Sequence, residues 1–553
     1  SSVEEIYDKI QEFKRSIIPK GLHVLGDKPS PDEAITYLTF LSRYDRGEIR
    51  SLHRLILESK GLDYAEVLEK PCKTAPDGKR YAEVLNDVEE VVKKLILEYV
   101  LNGSAPKLNK VNMSEVLNTL NFLKGVYEGI VSSDEIGAAL KALEGKFVEP
   151  GPGGDFIRTP EVYPTGRNTY QLDPTNIPTE VAMERGTKIA EDYLRNFYKK
   201  HGRYPKAVSV VLWAFETMKT GGETLAVIFR LLGVKPVWKS VYIREVEVIP
   251  LSELRRPRID VVITVCGIFR DTFYNIVELL DKAVRQVATL DEPEEMNYVK
   301  ANIRKIESVY GEDAHLRIFG PPEGLYATSL TKLIESSQWK SEAELVNAYM
   351  ESMKFAYSEK KRSVEAGKLL ESLLSNVEVV TQVRDSVDYE ITDLDHYYEF
   401  LGGLTKAVES RSGMRPLVLV ADTTRETVRV EDAAESVRRG IVTRTINPKW
   451  LDAMIQHGFN GATKIADRVE YMLGLSATLG GVEDWMWSKV AENIIFDRER
   501  AERIKDANVW AFRKIVGRLL EAAKRGYWKA DKKTLERLEE EYLKTEEILE
   551  SEE

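Results

Sequence analysis

The sequence contains very little cysteine and histidine. Among 553 residues there are only 2 cysteines, Cys72 and Cys266, and 6 histidines. Two cysteines so far apart in the chain exclude a disulfide-stapled scaffold and any cysteine-rich zinc or iron–sulfur site. This usage is typical of a reducing compartment, so we expect a cytoplasmic location.

Long hydrophobic runs and an excess of positive charge are also missing. No apolar run approaches the roughly 20 residues that cross a bilayer, so we expect no stable membrane insertion. There are 90 acidic and 79 basic residues, a net charge of −11, which argues against non-specific nucleic-acid binding. Ten acidic and four basic residues fall between Asp531 and Glu553. We interpret this segment as a solvated terminal helix, with a docking face as the alternative.

Common nucleotide and hydrolase motifs are absent. Residues 233–240 resemble a P-loop only until Trp238, where that motif requires glycine. A bulky side chain there would keep backbone amides away from phosphate, so we expect no ATP binding at this segment. The glycines at 151–154 follow no clear strand and form no dinucleotide fingerprint. Neither a G-x-S-x-G elbow nor an H-E-x-x-H helix occurs.

Local periodicity predicts an α/β fold with large all-α portions, organised as several domains. Mostly parallel sheets are flanked by helices, and the N- and C-terminal regions are helical. Strand-like runs and helical runs alternate in the middle of the chain. The predicted strands include Val208–Trp213, Ile259–Val265 and Arg415–Asp422, and the predicted helices include Leu225–Leu232, Asn275–Ala288 and residues 325–375. The predicted divisions are a helical region 1–145, an α/β domain 146–330 entered by a Pro/Gly-rich loop, a helical plus α/β segment 331–430 and a helical region 431–553.

Several side chains are candidates for chemistry, each with a structural alternative. His396 and His457 are the histidines whose surroundings suggest function, although either could serve packing alone. Acidic residues at strand ends or turns could line a ligand site or cap the next helix, and the two interpretations are equally open. These acids are Asp173, Glu216, Glu223, Asp385 and Asp422. The segment Trp213–Lys219 suits a large, flat, partly apolar ligand, or else a core strand that emerges into solvent.

An ordered set of phrases resembles one family, the large subunits of ATP-dependent tetrapyrrole metal chelatases. This family holds the cobaltochelatase large subunit and the magnesium-chelatase H subunit. The matching phrases run in order from about His23 to Trp528. They include Pro164-Thr-Gly-Arg-Asn168, Asp173-Pro174, Glu216-Thr-Met-Lys219-x-x-Gly-Glu223, Pro257-Arg-Ile-Asp-Val261, Gly267-x-Phe-Arg-Asp271, Leu290-Asp-Glu-Pro-Glu-Glu295, Asp422-Thr-Thr424, Asn447-Pro-Lys-Trp450 and His457-Gly-x-x-Gly461.

The resemblance implies an enzyme component that binds a tetrapyrrole and hosts metal insertion. It would act only with AAA+ ATPase and adaptor subunits, which use the ATP. The substrate ion is expected to be cobalt, inserted into a corrin precursor, and the alternative is magnesium and protoporphyrin IX. Two other hypotheses stay open, namely a protein that only holds the tetrapyrrole and a scaffold that docks the motor subunits. Because the family's large subunits are longer and the chain begins Ser1-Ser2 without Met, we expect it to be a C-terminal half.

Roles carried over from the resemblance fall on particular residues. His396 and His457 are expected to act as base or transient metal ligand. Glu216 and Glu223 are expected to take part in catalysis and, with Asp173, to assist metal passage. The carboxylate arms of the ring are expected to bind Arg167, Asn168 and Lys219.

The metal expectation rests on one segment. His396, the run Leu290–Glu295 and the run Asp422–Thr424 resemble the magnesium-type pattern. Tyr397–Gly403 resembles the cobalt-type pattern, although Leu401 stands where many cobalt-type members carry a histidine. The Gly-Gly-Leu run that follows is typical of the cobalt branch, so we favour cobalt.

Overall fold

The computed structural model describes residues 2–16, 23–170, 174–238 and 243–552. The chain divides into two compact units. The first, which we call the helical unit, comprises Ser1–Leu172 with Arg425–Thr427, and the second, the sheet unit, comprises Asp173–Thr424 with Val428–Glu553. The four-part division predicted from the sequence stays a prediction.

The helical unit packs amphipathic helices around an apolar core. Its second helix begins at a capping box in which Ser30 and Glu33 satisfy each other's backbone N–H groups, as the Ser-Pro-Asp-Glu run favours. The Pro/Gly-rich loop carries a short parallel strand pair. The elements are α1 (Val3–Ser16), α2 (Pro31–Leu41), α3 (Leu52–Ser59), α4 (Tyr64–Glu69), α5 (Tyr81–Ile96), a π-helical segment Leu97–Leu101, α6 (Met113–Ser132), α7 (Glu135–Leu143), β1 (Pro150–Pro152) and β2 (Asn168–Tyr170).

The sheet unit begins with alternating helices and strands. Its first elements are α8 (Glu180–His201), β3 (Ala207–Leu212), α9 (Ala214–Thr220), α10 (Glu223–Leu232), β4 (Val234–Pro236), β5 (Val246–Val248), α11 (Leu251–Leu254), β6 (Asp260–Val265), α12 (Gly267–Thr272), α13 (Tyr274–Ala288), α14 (Tyr298–Tyr310), β7 (Ile318–Gly320), α15 (Leu330–Ser336), α16 (Glu342–Met353), β8 (Phe355–Tyr357) and β9 (Val364–Glu365).

The chain continues into the other half of the sheet and then into helices. The elements are α17 (Gly367–Leu374), β10 (Val377–Arg384), a π-helical segment Tyr397–Gly402, α18 (Gly403–Ser412), β11 (Leu417–Asp422), β12 (Arg429–Asp432), α19 (Ala433–Gly440), a π-helical segment Ile441–Thr445, α20 (Pro448–Ile455), α21 (Gly458–Ala477), α22 (Asp484–Val490), a π-helical segment Ala491–Ile495, α23 (Arg498–Ala507), α24 (Val509–Lys524) and α25 (Lys532–Glu552).

One eight-stranded mixed sheet organises this unit. The strand order is β12-β11-β10-β3-β6-β7-β8-β9. Strands β11, β10, β3, β6 and β7 run parallel, and the edge strands pair antiparallel. In register, Val208 of β3 lies opposite Val261 of β6 and Val379 of β10. β3 and β6 are buried at every position, as expected for parallel strands covered by helices on both faces.

The predicted fold class is confirmed, since helices flank a mostly parallel sheet and both chain ends are helical. Gly233 ends α10 with φ of +76°, the left-handed conformation that favours glycine at a helix C-terminus. The prediction of helix through 325–375 is wrong at β8 and β9, because strands of two or three residues are too short to show a period. Among the helices in the described ranges, none combines the length and apolar character that crossing a bilayer requires.

Candidate functional site

The strand order creates a crevice between β3 and β10. From β3 the chain adds β6 and β7 on one side, and later adds β10 and β11 on the other. In open α/β sheets ligands bind at such a switch point, outside the carboxyl ends of the strands. Lys219, which follows β3, forms an ion pair of 3.3 Å with Asp385, which follows β10. This ion pair joins the two sides of the crevice.

Two glutamates of the predicted motif lie on the β3 side. Glu216 is on α9 and Glu223 is the first residue of α10. Gly221 and Gly222 connect the helices with φ of +69° and +95°. Glycine adopts these backbone angles without the strain that other residues would suffer. The tight turn therefore brings the two carboxylates to the same part of the crevice.

Helix α8 supports Glu223. The Arg185 Nε donates to Glu223 Oε1 at 2.5 Å, and its Nη2 donates to the Thr423 carbonyl at 3.1 Å. The adjacent Gly186 packs so closely on α10 that a Cβ there would lie 2.5 Å from the Cβ of Ala226. Sequence reasoning missed Arg185, because α8 carries many charged residues and no local pattern distinguishes this one.

Glu216 is buried with one carboxyl oxygen uncommitted. Its Oε1 accepts hydrogen bonds from the Thr220 hydroxyl at 3.0 Å and the Thr224 amide at 3.3 Å. Its Oε2, like that of Glu223, accepts no hydrogen bond from the residues that the structure describes. Burial, and then the charges of Asp385 and Glu223, raise the pKa of Glu216 to about 8. Such a carboxyl can take up or release a proton near neutral pH.

His396 lies at the same edge of the sheet. Its ring centroid is 5.2 Å from that of Trp213, the residue after β3. Its Nδ1 is 3.4 Å from carboxylate oxygens of both Asp395 and Glu399, and its side chain is 52% exposed. Burial by itself lowers the pKa of His396. The hydrogen bond with Glu399 and the charges of Asp395 and Glu399 outweigh burial, so the pKa of His396 is raised above its ordinary value.

The Gly402-Gly403 pair shapes the backbone next to His396. A Cβ on Gly402 would collide with the Thr478 hydroxyl, and a Cβ on Gly403 would lie 2.5 Å from the ring of Tyr349. The π-helical segment Tyr397–Gly402 and α18 can therefore pack closely against their neighbours only because these positions carry no side chain. The close packing fixes the segment that follows His396.

Arg167 and Asn168 lie in the helical unit, and both are exposed there. Arg167 packs over Gly151, where a Cβ would collide with its side chain. Their predicted role in holding carboxylate arms stays a prediction. Asp173 lies outside the described residues.

His457 is at the start of α21 and is half-buried. Farther along α21, Arg468 forms an ion pair of 2.9 Å with Asp393, which precedes His396 in the chain. His457 and Arg468 are 11 positions apart in the chain (468 − 457). The expected role of His457 as base or transient metal ligand stays a prediction. In the described part of the chain, no group of three or more His, Cys, Asp or Glu side chains is arranged to hold a metal ion.

Asp422 belongs to a buried ion-pair network. It pairs with Arg384 at 3.0 Å, and Arg384 also pairs with Glu390 at 3.2 Å. Arg439 pairs with Glu390 at 3.2 Å and with Glu431 at 2.6 Å. These five side chains are at most 5% exposed. Of the two interpretations open for this acid, the structural one fits these contacts, because the network ties the ends of β10 and β11 to α19.

Exposed apolar side chains follow the parallel strands. Phe215 follows β3, Ile268 follows β6, Tyr326 follows β7 and Tyr389 follows β10. They are 54, 39, 52 and 43% exposed. Because the carboxyl ends of parallel strands share one edge of the sheet, we call these side chains the apolar rim of the crevice. Exposed apolar groups near a few convergent polar ones are typical of a binding site for a partly apolar ligand.

Known proteins resemble the chain over almost its whole length. The family model described as CobN/Magnesium Chelatase matches residues 1–535. The chloroplastic magnesium-chelatase subunit ChlH of Oryza sativa subsp. indica is 34% identical, over 99% of this chain and 42% of that protein. The aerobic cobaltochelatase subunit CobN of Pseudomonas aeruginosa is 32% identical, over 97% of this chain and 45% of that protein.

A solved structure has the same fold. The catalytic subunit of cobaltochelatase from Mycobacterium tuberculosis matches with a TM-score of 0.89 and 31% identity, covering 98% of this chain and 46% of that one. The chain thus spans less than half the length of these relatives. The resemblance identified from the ordered phrases is confirmed, and the chain belongs to the CobN/magnesium chelatase family.

Proposed function

We propose that the chain supplies part of a metal chelatase large subunit that binds a tetrapyrrole and inserts cobalt into a corrin precursor. The observation that carries the proposal is the presence, at one edge of the sheet, of two groups that can exchange a proton. These are Glu216, buried with an uncommitted oxygen, and His396, a half-exposed imidazole. Metallation removes the pyrrole N–H protons, so the reaction requires positioned bases.

The crevice also suits the shape and charge of a tetrapyrrole. The macrocycle is flat and apolar, and the apolar rim offers it an exposed surface of matching character. Its carboxylate arms call for cations, and Lys219 and Arg185 present partly exposed side chains at the crevice, 28% and 30% exposed. Both cations are paired with carboxylates of the protein, so a ring arm would compete with Asp385 or Glu223.

The metal ion is a substrate that must leave the protein for the ring nitrogens. Transient binding by one imidazole and one or two carboxylates would be weak enough to permit that transfer. Imidazole suits cobalt, whereas carboxylate oxygens suit magnesium. Because the charges of Asp385 and Glu223 act on Glu216, carboxylate oxygens are also available near this edge, and the second candidate is magnesium insertion into protoporphyrin IX.

ATP hydrolysis belongs, in this proposal, to AAA+ partner subunits acting with an adaptor. The segment at 233–240 carries Trp238 in place of the glycine that a P-loop needs. Motor motion would then be coupled to dehydration of the ion or release of the product.

Ligand titration tests which ring the chain binds. The purified chain is titrated with a metal-free corrin precursor and separately with protoporphyrin IX, and binding is followed by absorbance and fluorescence. Binding of the corrin precursor alone is the expected result, and binding of protoporphyrin alone would replace cobalt by magnesium. Binding of neither would contradict a tetrapyrrole site in this chain and favour a docking scaffold.

Substitution of Glu216 tests the chemistry. In the complete large subunit with its partners, ATP and cobalt, we expect Glu216→Gln to lower the insertion rate about 100-fold without loss of ring binding. The matched control is Glu184→Gln on α8, whose side chain is 72% exposed, and it should insert metal at the wild-type rate. Wild-type insertion by the Glu216→Gln variant would exclude Glu216 from the reaction. Tight ring binding without any insertion by the wild type would favour a protein that only holds the tetrapyrrole.

A further inference from the structure

Glu399 is a buried carboxylate whose two oxygens face different partners. Its side chain is 1% exposed. Its Oε1 accepts a hydrogen bond from the Thr328 backbone N–H at 2.5 Å, and its Oε2 lies 3.4 Å from His396 Nδ1. Thr328, in the loop between β7 and α15, is itself buried. Glu399 is therefore anchored from outside its own helical segment.

The His396 ring is also supported on one face. The Trp213 ring lies 5.2 Å from it, and Trp213 in turn packs edge-on against Phe400 at 4.6 Å. The imidazole is thus held between an aromatic side chain and a fixed carboxylate, while about half of its surface stays exposed.

The arrangement dictates which nitrogen carries the proton. An ionised carboxylate only accepts hydrogen bonds, so Nδ1 must carry a proton to bond with Oε2. In neutral histidine the lone pair is then on Nε2, which is free to accept a proton or bind a metal ion. Carboxylates that orient working histidines in this way also fix the angle of the ring.

We propose that Glu399 is a positioning residue that holds His396 in the Nδ1–H form, with Nε2 as its working nitrogen. The structural part of this inference stands by itself, whereas its consequence for metal insertion rests on the proposed function. Nothing in the sequence pattern predicted Glu399, because its partner Thr328 is 71 residues away.

The Glu399→Gln variant gives a sharp test. The Thr328 N–H needs an acceptor at the Oε1 position, so the substituted amide must place its oxygen there. Its NH2 group then faces His396 Nδ1, which can bond with it only as an acceptor. We therefore expect the substitution to move the proton from Nδ1 to Nε2, and to remove the lone pair from the working nitrogen.

Nitrogen NMR of the full chain labelled with 15N-histidine reports this change directly. Spectra are recorded at about pH 9, where histidine is mostly neutral, and the His396 signals are assigned by their loss in His396→Gln. The expected result is an Nδ1–H form in the wild type and an Nε2–H form in Glu399→Gln. An Nε2–H form in the wild type would overturn the proposal by itself. An Nδ1–H form that persists in Glu399→Gln would overturn it as well.

Asp395→Asn is the matched control. Asp395 lies at the same distance from Nδ1 but is 33% exposed, so its side chain can turn to solvent. This variant should keep the Nδ1–H form.

Turnover of the complete chelatase then tests the functional part. We expect Glu399→Gln to lower kcat by roughly 10- to 100-fold with KM for the tetrapyrrole unchanged. If the proton moves from Nδ1 to Nε2 in Glu399→Gln and kcat does not fall, Glu399 has no role in the reaction. If the wild type inserts no metal, the proposed function fails, and the NMR result still decides the positioning of His396.

Discussion

Single residues at the crevice have properties that depend on distant neighbours. Glu216 is an ordinary acid in the sequence, yet it is 3% exposed and lies near the charges of Asp385 and Glu223. Asp385 is 169 positions farther along the chain (385 − 216). Burial and like charges both favour the protonated form. The chemistry of this carboxyl is therefore a product of the fold.

Glu216 should make the free energy of unfolding depend on pH. Its pKa is about 8 in the folded chain and near the ordinary 4.5 when unfolded, so between these values the folded state binds more protons. Stability therefore falls as pH rises through this window, by on the order of 5 kcal/mol at most. The Glu216→Gln variant cannot ionise, so its urea midpoint should fall less than that of the wild type from about pH 5 to pH 8.

Glu184→Gln, at an exposed position on α8, serves as the control and should follow the wild-type pH dependence. If the curves of the wild type and Glu216→Gln run parallel over this range, Glu216 does not hold its proton in the folded chain.

At the scale of elements, glycines permit close approaches that set the site. Gly221 and Gly222 close the turn between α9 and α10, Gly186 seats α8 on α10, and Gly402 and Gly403 fit the segment after His396 against its neighbours. The pair Gly402-Gly403 is visible in the sequence, but its cause is not. Side chains at these positions would collide with Thr478 and Tyr349, which come from elsewhere in the chain.

Gly403→Ala should destabilise the sheet unit, because its Cβ would lie 2.5 Å from the buried Tyr349 ring. Overpacking of this kind costs about 1–3 kcal/mol, which chemical denaturation measures. The control is Gly517→Ala within α24, where the nearest atom to a Cβ is 3.5 Å away. That change should be neutral or stabilising by up to about 1 kcal/mol. Equal losses in both variants would show that the close approach is not the cause.

At the scale of the whole molecule, buried charges join the sheet to the helices that follow it in the chain. One buried ion-pair network links β10, β11 and β12 to α19. Its members are Arg384, Asp422, Glu390, Arg439 and Glu431. Burial raises the pKa of Glu390, but the charges of Arg384, Arg439 and Arg444 outweigh burial and lower it. The sheet unit should therefore be sensitive to acid.

Glu390→Gln should test this network. A folded pKa below the ordinary value contributes stability that is present at neutral pH and is lost as pH falls through the folded pKa. Replacing Glu390 takes one carboxylate partner from each of the buried Arg384 and Arg439 and leaves excess positive charge in the core, so at pH 7 we expect a loss of about 3–5 kcal/mol. The difference from the wild type should shrink in acid, as urea unfolding across pH will show. Glu307→Gln, exposed on α14, should change little, and a constant difference at all pH values would contradict the prediction.

The strength of the sequence signals explains which parts of the fold could be predicted. β3 and β6 consist mostly of apolar, largely β-branched residues, so their hydrophobic pattern alone identified them. β8 and β9 are too short to leave a pattern. The acidic segment at the C-terminus forms α25, in which Leu538 is buried and Leu543 is 63% exposed, so it packs on one side and is solvated on the other.

The sequence by itself determined the family, the fold class and the motif that carries Glu216, Glu223 and Lys219, because these depend on local order along the chain. Only the tertiary structure decided that Glu216 is buried near the charge of Asp385 and that Asp422 is held in an ion-pair network. It also decided that the Glu399 carboxylate lies next to His396 Nδ1. Burial and charge pairing join residues that are far apart in sequence. Local sequence patterns do not reveal this burial and charge pairing, although both determine the chemistry of the site.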